Sequence, residues 1–446
     1  MAFSKNNSLA VIGAGLAGSE AALVLAKRGI KVTLFEMRPD KITPAHKTDL
    51  PAELVCSNSF KSDELPTAHG ILKAELKLLE SPLLDTAQKY RIPAGSALAV
   101  DRKKFSAHIL ELLSHHPNIS IKRREISRPP QEYACCIIAA GPLASDSLTA
   151  WLLSRFSADS LHFYDAIAPI IATDSIDMDK AYLASRWNKG SADYCNCPFN
   201  EDEYRRFYDA LIAADKVKAR SFEKETFFEA CLPVEVVAQR GFDALVFGTL
   251  RPVGLVDPKT GKRPYAVCQL RKETASGESY SMVGFQTRMT IPEQKRVIRL
   301  IPGLEKAEFL RYGSIHRNTY MNSPALLSRD LSFKEEPYLF LAGQLCGNEG
   351  YTESIATGHL AALFAWAKMI KKVFPAPSGA SACGALLRHV THRAGKKFTP
   401  SNINFGLFDI PQSAVKKRID KDKKRALLCD RALRTMREWI TENSLL

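Results

Sequence analysis

The sequence has little that would suit a membrane, secreted or metal-binding protein. Its longest apolar run, near 360–366, falls far short of the roughly 18 residues of a membrane-spanning helix. The ten cysteines show no regular spacing, so no disulfide framework is indicated, and the neighbours Cys135 and Cys136 would form a strained bridge. Cys195 and Cys197 have no second ligand pair nearby, so we predict a structural turn there and no metal site. We therefore predict a protein of the reducing cytoplasm.

Acidic residues are also in short supply. The chain has 48 Asp and Glu against 62 Lys and Arg, a net charge of +14, and such a surface attracts polyanions, including nucleic acid. Much of the excess lies in the segment 416–437, and a second basic stretch, 258–272, surrounds a predicted turn. A solvated, weakly held helix is the alternative interpretation of the C-terminal segment.

The first residues carry a dinucleotide-binding pattern. An apolar strand at 9–12 leads into a glycine-rich turn, an alanine-rich helix that ends at Gly29, and a second strand that ends at Glu36. The three glycines would allow a tight turn, the approach of a pyrophosphate, and close packing of helix on strand, while the acid reaches the ribose hydroxyls. Small apolar residues after Lys5 could also suggest a signal peptide, but Glu20 and the complete second strand oppose it. The predicted cofactor residues are Gly13, Ala14, Gly15, Leu16, Ala17, Gly18, Glu36 and Arg38.

Two later segments predict further contacts with a flavin. The apolar strand 135–138 ends at Gly141 and would return the chain to the cofactor. The strand 338–341, the glycine-bearing loop 343–350 and the helix that follows would direct a helix N-terminus at an anionic reduced flavin. An ordinary structural turn is the alternative. The predicted contacts are Gly141, Gly343, Gln344, Gly350 and Tyr351.

These patterns predict an α/β fold with a Rossmann-like FAD-binding domain of the glutathione-reductase type. We expect this domain to be discontinuous, formed by residues 1–150 and 316–446, with an α+β insertion domain at 151–315 that contains a hairpin. No second glycine fingerprint is present. An external reductant, NADH or NADPH, would then bind without a Rossmann domain of its own.

Two cysteines stand out by their neighbours. Cys56 precedes the cluster 57–59, which is typical of a helix start and would favour the thiolate. Cys231 lies between Glu229 and Pro233, which predicts a turn leaving a helix, although a nearby carboxylate could equally raise its pKa. The alternative for any cysteine is a small buried hydrophobic residue.

A series of longer motifs closely resembles the bacterial folate- and FAD-dependent tRNA (uracil-5-)-methyltransferases. It spans about residues 8–408 and includes VIGAGLAGSEAA, FEMRP, TPAH, ELVCSNS, IPAGSALAVDR, FFEACLPVEV, LVDPKTGKRPYAVCQLR, LFLAGQ, EGYTES and NFGLF. Motifs of this length and order are far more specific than a dinucleotide fingerprint. Departures are small: Ala140 stands where the family commonly has Thr, and Cys346 and Asn348 vary a loop near the predicted flavin.

The resemblance implies transfer of a one-carbon unit from methylenetetrahydrofolate to C5 of the T-loop uridine of tRNA, forming 5-methyluridine, with reduced FAD taking part in both carbon transfer and reduction. A thiolate that adds to uracil C6 would create a C5 enolate able to attack a methylene carried on flavin N5. The FFEAC context assigns this thiolate to Cys231. Cys56 would then be a partner thiol that helps to remove the C5 proton or protects the activated cofactor.

The resemblance also implies a folate site and an extruded base. His316, in RYGSIHRNT, matches the position where the family places an imidazole against the pterin; Arg288 and Asn318 are weaker candidates for folate contacts. The target uridine lies stacked in an RNA loop, so it must be flipped out beside the flavin.

Other functions stay open from the sequence. The same chemistry could act on a ribosomal RNA uridine, or the chain could be a small-molecule FAD oxidoreductase or a non-catalytic flavoprotein that binds RNA. A tRNA wobble-uridine modifier would need a long helical C-terminal domain, which the sequence does not indicate. The oligomeric state is not predicted.

Overall fold

The computed structural model describes residues 8–156, 160–188, 191–217, 232–392, 398–409 and 420–445, without the side chains of 160–166, 315–317 and 421. Within these ranges the helices are α1 (Leu16–Lys27), α2 (Ala68–Leu78), α3 (Pro82–Lys89), α4 (Arg102–His115), α5 (Asp146–Phe156), α6 (Glu201–Ala213), α7 (Val234–Ala238), α8 (Ala244–Phe247), α9 (Ile291–Ile298), α10 (Ser323–Leu326), α11 (Tyr351–Met369), α12 (Ala382–Thr391) and α13 (Lys421–Glu442). The strands are β1 (Ser8–Ile12), β2 (Lys31–Glu36), β3 (Ser59–Ser62), β4 (Arg91–Ile92), β5 (Ala97–Val100), β6 (Ile119–Arg123), β7 (Cys135–Ile138), β8 (Ser160–Ile167), β9 (Ile170–Ala172), β10 (Tyr182–Ala184), β11 (Tyr194–Phe199), β12 (Ala266–Lys272), β13 (Ser279–Met282), β14 (Phe309–Arg311), β15 (Ser314–Met321) and β16 (Leu339–Leu341).

A five-stranded parallel sheet forms the first layer of the fold. Its order is β16-β7-β1-β2-β6, and Ile12 of β1 pairs with Phe35 on one side and Ile138 on the other. The central strands read as nearly continuous apolar runs because both faces of such a sheet are covered. The predicted α/β, Rossmann-like fold class is confirmed.

A six-stranded antiparallel sheet forms a second layer, with the order β10-β11-β12-β13-β9-β14. The predicted hairpin is its β12–β13 pair, in which Leu270 pairs with Met282. Cys195 and Cys197 lie buried inside β11, so the predicted turn at these residues is wrong: β12 pairs along this whole strand.

Each sheet has its own hydrophobic core. The first core draws on residues from 9–156 and 321–445, and the second on residues from 168–309. The two-stranded ladder of β8 and β15 lies where the chain passes between them. Two cores are what two domains require, while the boundaries at 150 and 316 stay a prediction.

Glycines allow α1 and α11 to pack closely behind the parallel sheet. A Cβ on Gly18 would lie 1.8 Å from the Gly13 carbonyl oxygen, and one on Gly358 would lie 2.3 Å from the Ala17 carbonyl oxygen. Helix α1 begins four residues after the carboxyl end of β1, and α11 begins ten residues after that of β16, with the loop 343–350 between them. Their N-termini therefore meet at the same edge of the sheet, where ligands of such folds bind.

The basic C-terminal helix α13 is firmly anchored. Leu428, Ala432, Met436 and Trp439 form a buried stripe, and the Trp439 indole N–H donates to the Pro375 carbonyl oxygen at 2.7 Å. The interpretation of this segment as a weakly held helix is therefore wrong for its described part. The exposed basic residues of the helix include Lys423, Arg434 and Arg437.

A buried carboxylate joins α2 to the start of α12. The Glu75 side chain is fully buried, and its two oxygens accept hydrogen bonds from the backbone N–H groups of Ala382 at 2.7 Å and Cys383 at 2.8 Å. Burial raises the pKa of Glu75 to about 7, against the opposing effect of these two hydrogen bonds.

We expect this residue to make stability depend on pH. Between about pH 4.5 and 7 the folded protein holds a proton on Glu75 that the unfolded chain has released, so the free energy of unfolding falls as pH rises through this window. Between pH 4.5 and 7, the free energy of unfolding of the wild type should fall by up to about 3 kcal/mol more than that of Glu75→Gln. Melting temperatures at pH 5 to 8 would measure the difference, with Glu64→Gln as the exposed control. Parallel pH profiles of wild type and Glu75→Gln would contradict the expectation.

Candidate active site

A cleft of about 1020 Å³, open to solvent, lies at the carboxyl edge of the parallel sheet. It gathers residues from all three segments that the sequence assigned to a cofactor. Those lining it are Gly13, Gly15, Leu16, Ala17, Glu36, Arg38, Gly141, Gly343, Gln344 and Tyr351. The other three predicted residues lie close by: Ala14 donates its N–H to Glu36, Gly18 packs under Gly13, and Gly350 borders a second cavity.

The glycines of the first turn serve two different purposes. Gly13 has a φ of +98°, and a Cβ there would lie 2.6 Å from the Ala139 carbonyl oxygen, so this glycine and Gly18 are required by the fold. Gly15 has an ordinary φ of −72°, and a Cβ there would meet no atom within 4 Å. Its missing side chain leaves room in the cleft at the N-terminus of α1, where free N–H groups suit a diphosphate.

Glu36 presents an ionised carboxylate at the end of β2. One oxygen accepts from the Ala14 N–H at 2.8 Å, and the other accepts from Arg38 Nε at 2.9 Å. Burial alone would raise the pKa of Glu36, but Arg38 and the backbone donors outweigh it and hold the pKa below its ordinary value. The ribose contact stays a prediction for this residue.

His46 lines the cleft, and sequence reasoning did not single it out, although it belongs to the family motif TPAH. Its Nδ1 lies 2.6 Å from the Thr43 hydroxyl oxygen. Burial, and then the charge of Arg38, lower the pKa of His46 to about 4. The imidazole is therefore neutral at neutral pH.

A second cavity, which is open to solvent and measures about 1510 Å³ with its mouth included, adjoins the cleft. The two share the lining residues Val55, Pro142, Leu143, Gln344 and Tyr351. The second cavity also takes residues from the antiparallel sheet, among them Arg271 and Met282. It therefore lies between the two hydrophobic cores, with the start of α11 at the junction.

Cys56 borders this second cavity and is half-buried. Its backbone N–H donates to the Tyr351 hydroxyl at 2.8 Å, as the Ser57 N–H does at 3.1 Å. The predicted helix start after Cys56 is wrong, because the strand β3 follows. The Asn58 side chain bonds to the Val100 and Lys272 carbonyl oxygens, and these distant partners hold the segment extended.

Arg271 places a buried cation in the same cavity. It lies in β12, and its Nε donates to the Asn58 side-chain oxygen at 2.8 Å. Burial lowers the pKa of Arg271, and Glu273 opposes this effect. Sequence reasoning assigned Arg271 to a basic stretch around a turn and missed its buried position in the cavity. The signal was there: Gln269 and Arg271 are polar residues two apart in an otherwise apolar run, as expected of one face of a strand.

The three residues predicted to contact folate differ in where the structure places them. Asn318 is buried in β15 and lines the second cavity. His316 belongs to the same strand, but its side chain lies outside the described part. Arg288 does not line either cavity, and its backbone N–H donates to Glu235 at 2.8 Å.

Cys231 lies outside the described residues. The chain that follows it is described from residue 232 onward, and the Val234 N–H donates to the Gln286 carbonyl oxygen at 2.7 Å. Gln286 lines the second cavity. The described chain therefore passes beside this cavity at Val234, three residues after Cys231 in the sequence.

In the described ranges, no group of three or more His, Cys, Asp or Glu side chains is arranged to hold a metal ion. None of the helices in these ranges is long and apolar enough to span a membrane.

Comparison with known proteins gives close relatives along almost the whole chain. Residues 8–372 match the family of glucose inhibited division protein A. The chain is 50% identical over 433 residues to the methylenetetrahydrofolate–tRNA-(uracil-5-)-methyltransferase TrmFO of Bacillus licheniformis, covering 97% of this chain and 98% of that protein. The TrmFO of Bacillus cereus is 50% identical over 431 residues, covering 96% of this chain and 98% of that protein.

Solved structures show the same fold. GidA of Aquifex aeolicus, in its form I crystal, superposes with a TM-score of 0.70 at 17% identity, covering 100% of this chain and 76% of that one. Its form II crystal gives a TM-score of 0.67. The molecule therefore has a GidA-like fold with a Rossmann-like parallel sheet at its core.

Proposed function

Because this chain belongs to the glucose inhibited division protein A family and, within it, to the methylenetetrahydrofolate–tRNA-(uracil-5-)-methyltransferases, we infer that it methylates C5 of a uridine in tRNA with methylenetetrahydrofolate and FAD. The observation that carries this inference is 50% identity over 97% of the chain. We further propose that the target is the T-loop uridine and the product 5-methyluridine.

The cleft at the sheet edge fits FAD. The space left by Gly15 and the N-terminus of α1 would take the diphosphate, and Glu36 would accept from the ribose hydroxyls. The start of α11, at Gly350 and Tyr351, would face the flavin end, because it lies where the cleft meets the second cavity. When bound, FAD supplies the redox chemistry that converts the transferred carbon into a methyl group.

The second cavity would hold the uracil and the folate. The Cys231 thiolate would add to uracil C6, so that a sulfur–carbon bond forms and electron density moves onto C5 and its neighbouring carbonyl. Arg271 offers a buried positive charge in this cavity, which suits the enolate. Cys56, on the wall near Tyr351, would take the C5 proton afterwards.

Among the proposed folate contacts, Asn318 is supported by its location, because its buried side chain lines the second cavity. His316 shares its strand and stays a proposed pterin contact. Arg288 lacks this support. We also propose that NADH or NADPH supplies the electrons, and that the enzyme works in the cytoplasm, where its tRNA substrate is made.

The direct test is transfer of label from methylene-labelled tetrahydrofolate to unmodified tRNA, with FAD-loaded protein and NADH or NADPH, followed by nucleoside mapping. We expect label in 5-methyluridine at the T-loop position. Label only in ribosomal RNA would keep the chemistry and change the substrate. Absence of label from every RNA, with flavin present and reducible, would refute the methyltransferase function.

A further inference from the structure

Trp187 is an exposed aromatic residue held in an unusual backbone conformation. The side chain is 66% exposed, and Trp187 and Asn188 have φ values of 60° and 50°. A bulky residue with positive φ is uncommon and strained. The Trp187 N–H donates to the Gly254 carbonyl oxygen at 2.8 Å, and a Cβ on Gly254 would lie 2.8 Å from the indole ring. Gly254 therefore seats the ring, and most of the indole remains open to solvent.

Two arginines belong to the segments that meet at this indole: Arg186 precedes Trp187, and Arg251 lies three residues before Gly254. Arg186 donates from Nη1 to the Val253 carbonyl oxygen at 2.7 Å and from Nε to the Gln269 side chain at 2.9 Å. Arg251 is exposed and begins the loop that seats the ring. Arg186 is tied to Val253, two residues after Arg251, and burial, followed by the charge of Arg251, lowers the pKa of Arg186. The result is an aromatic surface with positive charge beside it.

This surface is connected to the second cavity by one strand. Gln269, the partner of Arg186, lies two residues before Arg271 on the same face of β12. That spacing is about 7 Å along a strand, and Arg271 lines the cavity. The residue before Trp187 is therefore tied, through Gln269, to the strand that contributes Arg271 to the cavity.

We propose that Trp187 is a stacking platform for an unpaired base of the RNA substrate, next to the flipped uridine, with Arg251 contacting the adjacent phosphate. The proposal rests on the proposed function. Extruding the target base unstacks its neighbours, and aromatic residues beside a basic groove bind such bases without sequence preference. A protein partner is less well matched, because it would meet a single ring among cations in a chain of net charge +14.

Kinetics of Trp187→Ala and Trp187→Phe with tRNA test the proposal. Stacking of one base is worth a roughly five- to hundredfold change in affinity. The KM for tRNA should rise by about this factor in Trp187→Ala, at every salt concentration, while kcat stays close to wild type. Trp187→Phe should retain most of the affinity. Arg251→Gln should instead reduce the slope of log affinity against log salt by about one phosphate contact.

Tyr338→Ala is the matched control. Tyr338 is also an exposed aromatic residue near a cation, with Lys368 Nζ 5.4 Å from its ring centre. It lies just before β16, at the opposite edge of the parallel sheet from the cleft, so its KM should not change. Equal KM values for Trp187→Ala and wild type, or equal losses in Trp187→Ala and Tyr338→Ala, would overturn the proposal.

Fluorescence separates this proposal from the proposed function. The emission of wild type minus that of Trp187→Phe isolates the indole of Trp187, and bound tRNA should quench it. Unchanged emission with saturating tRNA refutes the stacking platform even if the enzyme methylates tRNA. Quenching without methylation would support RNA stacking and leave the methyltransferase function as the part that failed. If cell protein freed of tRNA quenches the Trp187 emission equally well, the result would favour a protein partner and overturn the proposal.

Discussion

Replacing Gly15 with valine is expected to give a folded protein without its flavin. The φ of −72° at Gly15 is allowed for any residue, and a Cβ there would meet no protein atom within 4 Å. The added side chain would instead fill the part of the cleft that fits the diphosphate. We expect FAD affinity to fall at least about a hundredfold, which corresponds to about 2.7 kcal/mol.

The measurement is visible flavin absorbance per mole of purified protein, beside far-ultraviolet circular dichroism. Gly29→Ala is the matched control, because Gly29 has a φ of +78° and open space around it, at the far end of the same helix. It should cost about 1 kcal/mol of stability and keep the flavin. Stoichiometric FAD in Gly15→Val would mean that this cleft is not the FAD site.

Gly18→Ala shows why Gly15 is the informative position. A Cβ on Gly18 would lie 1.8 Å from the Gly13 carbonyl oxygen, so the backbone itself would have to move. Loss of flavin from that variant would report on damaged packing of helix on strand. Loss of flavin from Gly15→Val, with unchanged circular dichroism, reports on the cleft alone.

The cleft could be predicted because its pattern is local. Strand, glycine turn, helix and acidic strand end follow each other within about thirty residues of a βαβ unit, and parallel strands bring their carboxyl ends to one edge. The segments ending at Gly141 and Gly343 follow the same rule, although they are far apart in sequence. Each of the three contributes residues to the cleft.

The surroundings of Cys56 could not be predicted in this way. Ser57 to Ser59 favour a helix start by local chemistry, yet Asn58 bonds to residues 42 and 214 positions away. Arg271 was counted with a basic stretch around a turn, and its burial was missed because it depends on pairing across the second sheet. Tertiary contacts decide both the extended backbone after Cys56 and the burial of Arg271. No single stretch of sequence contains these contacts.

The buried face of the C-terminal helix was missed for a different reason. The number of basic residues drew attention to its solvated face. The buried positions Leu428, Ala432, Met436 and Trp439 are spaced by four, four and three residues, which is the period of an amphipathic helix. Here the sequence contained the signal, and periodicity would have revealed it.

The largest catalytic effects are expected from replacing the two site cysteines. The two variants should differ in whether they still form a covalent complex with RNA. Cys231→Ala should lose tRNA methylation by roughly a thousandfold or more, since it removes the group that activates C5. It should also fail to form a covalent complex with RNA that carries 5-fluorouracil. FAD content should stay unchanged, because Cys231 belongs to none of the three segments that form the cleft.

Cys56→Ala should lose turnover to a similar degree and still form the covalent complex. Cys56 borders the cavity beside Tyr351, and its proposed role begins after the sulfur–carbon bond has formed. The complex would be followed as a shifted band in denaturing gels with 5-fluorouracil RNA. Cys268→Ala is the control, since Cys268 is a fully buried cysteine of β12 that should leave both readouts near wild type.

The pair of variants decides which thiol attacks. A covalent complex in Cys231→Ala, together with its loss in Cys56→Ala, would exchange the two roles and make Cys56 the nucleophile. That result would agree with the position of Cys56 on the cavity wall near the cation of Arg271. A complex formed by both variants would show that neither cysteine attacks C6, and the thiolate mechanism would be wrong for this chain. Loss of the complex only in Cys231→Ala, with turnover lost in both, is the result expected here, because one thiol then acts on C6 and the other on the proton at C5.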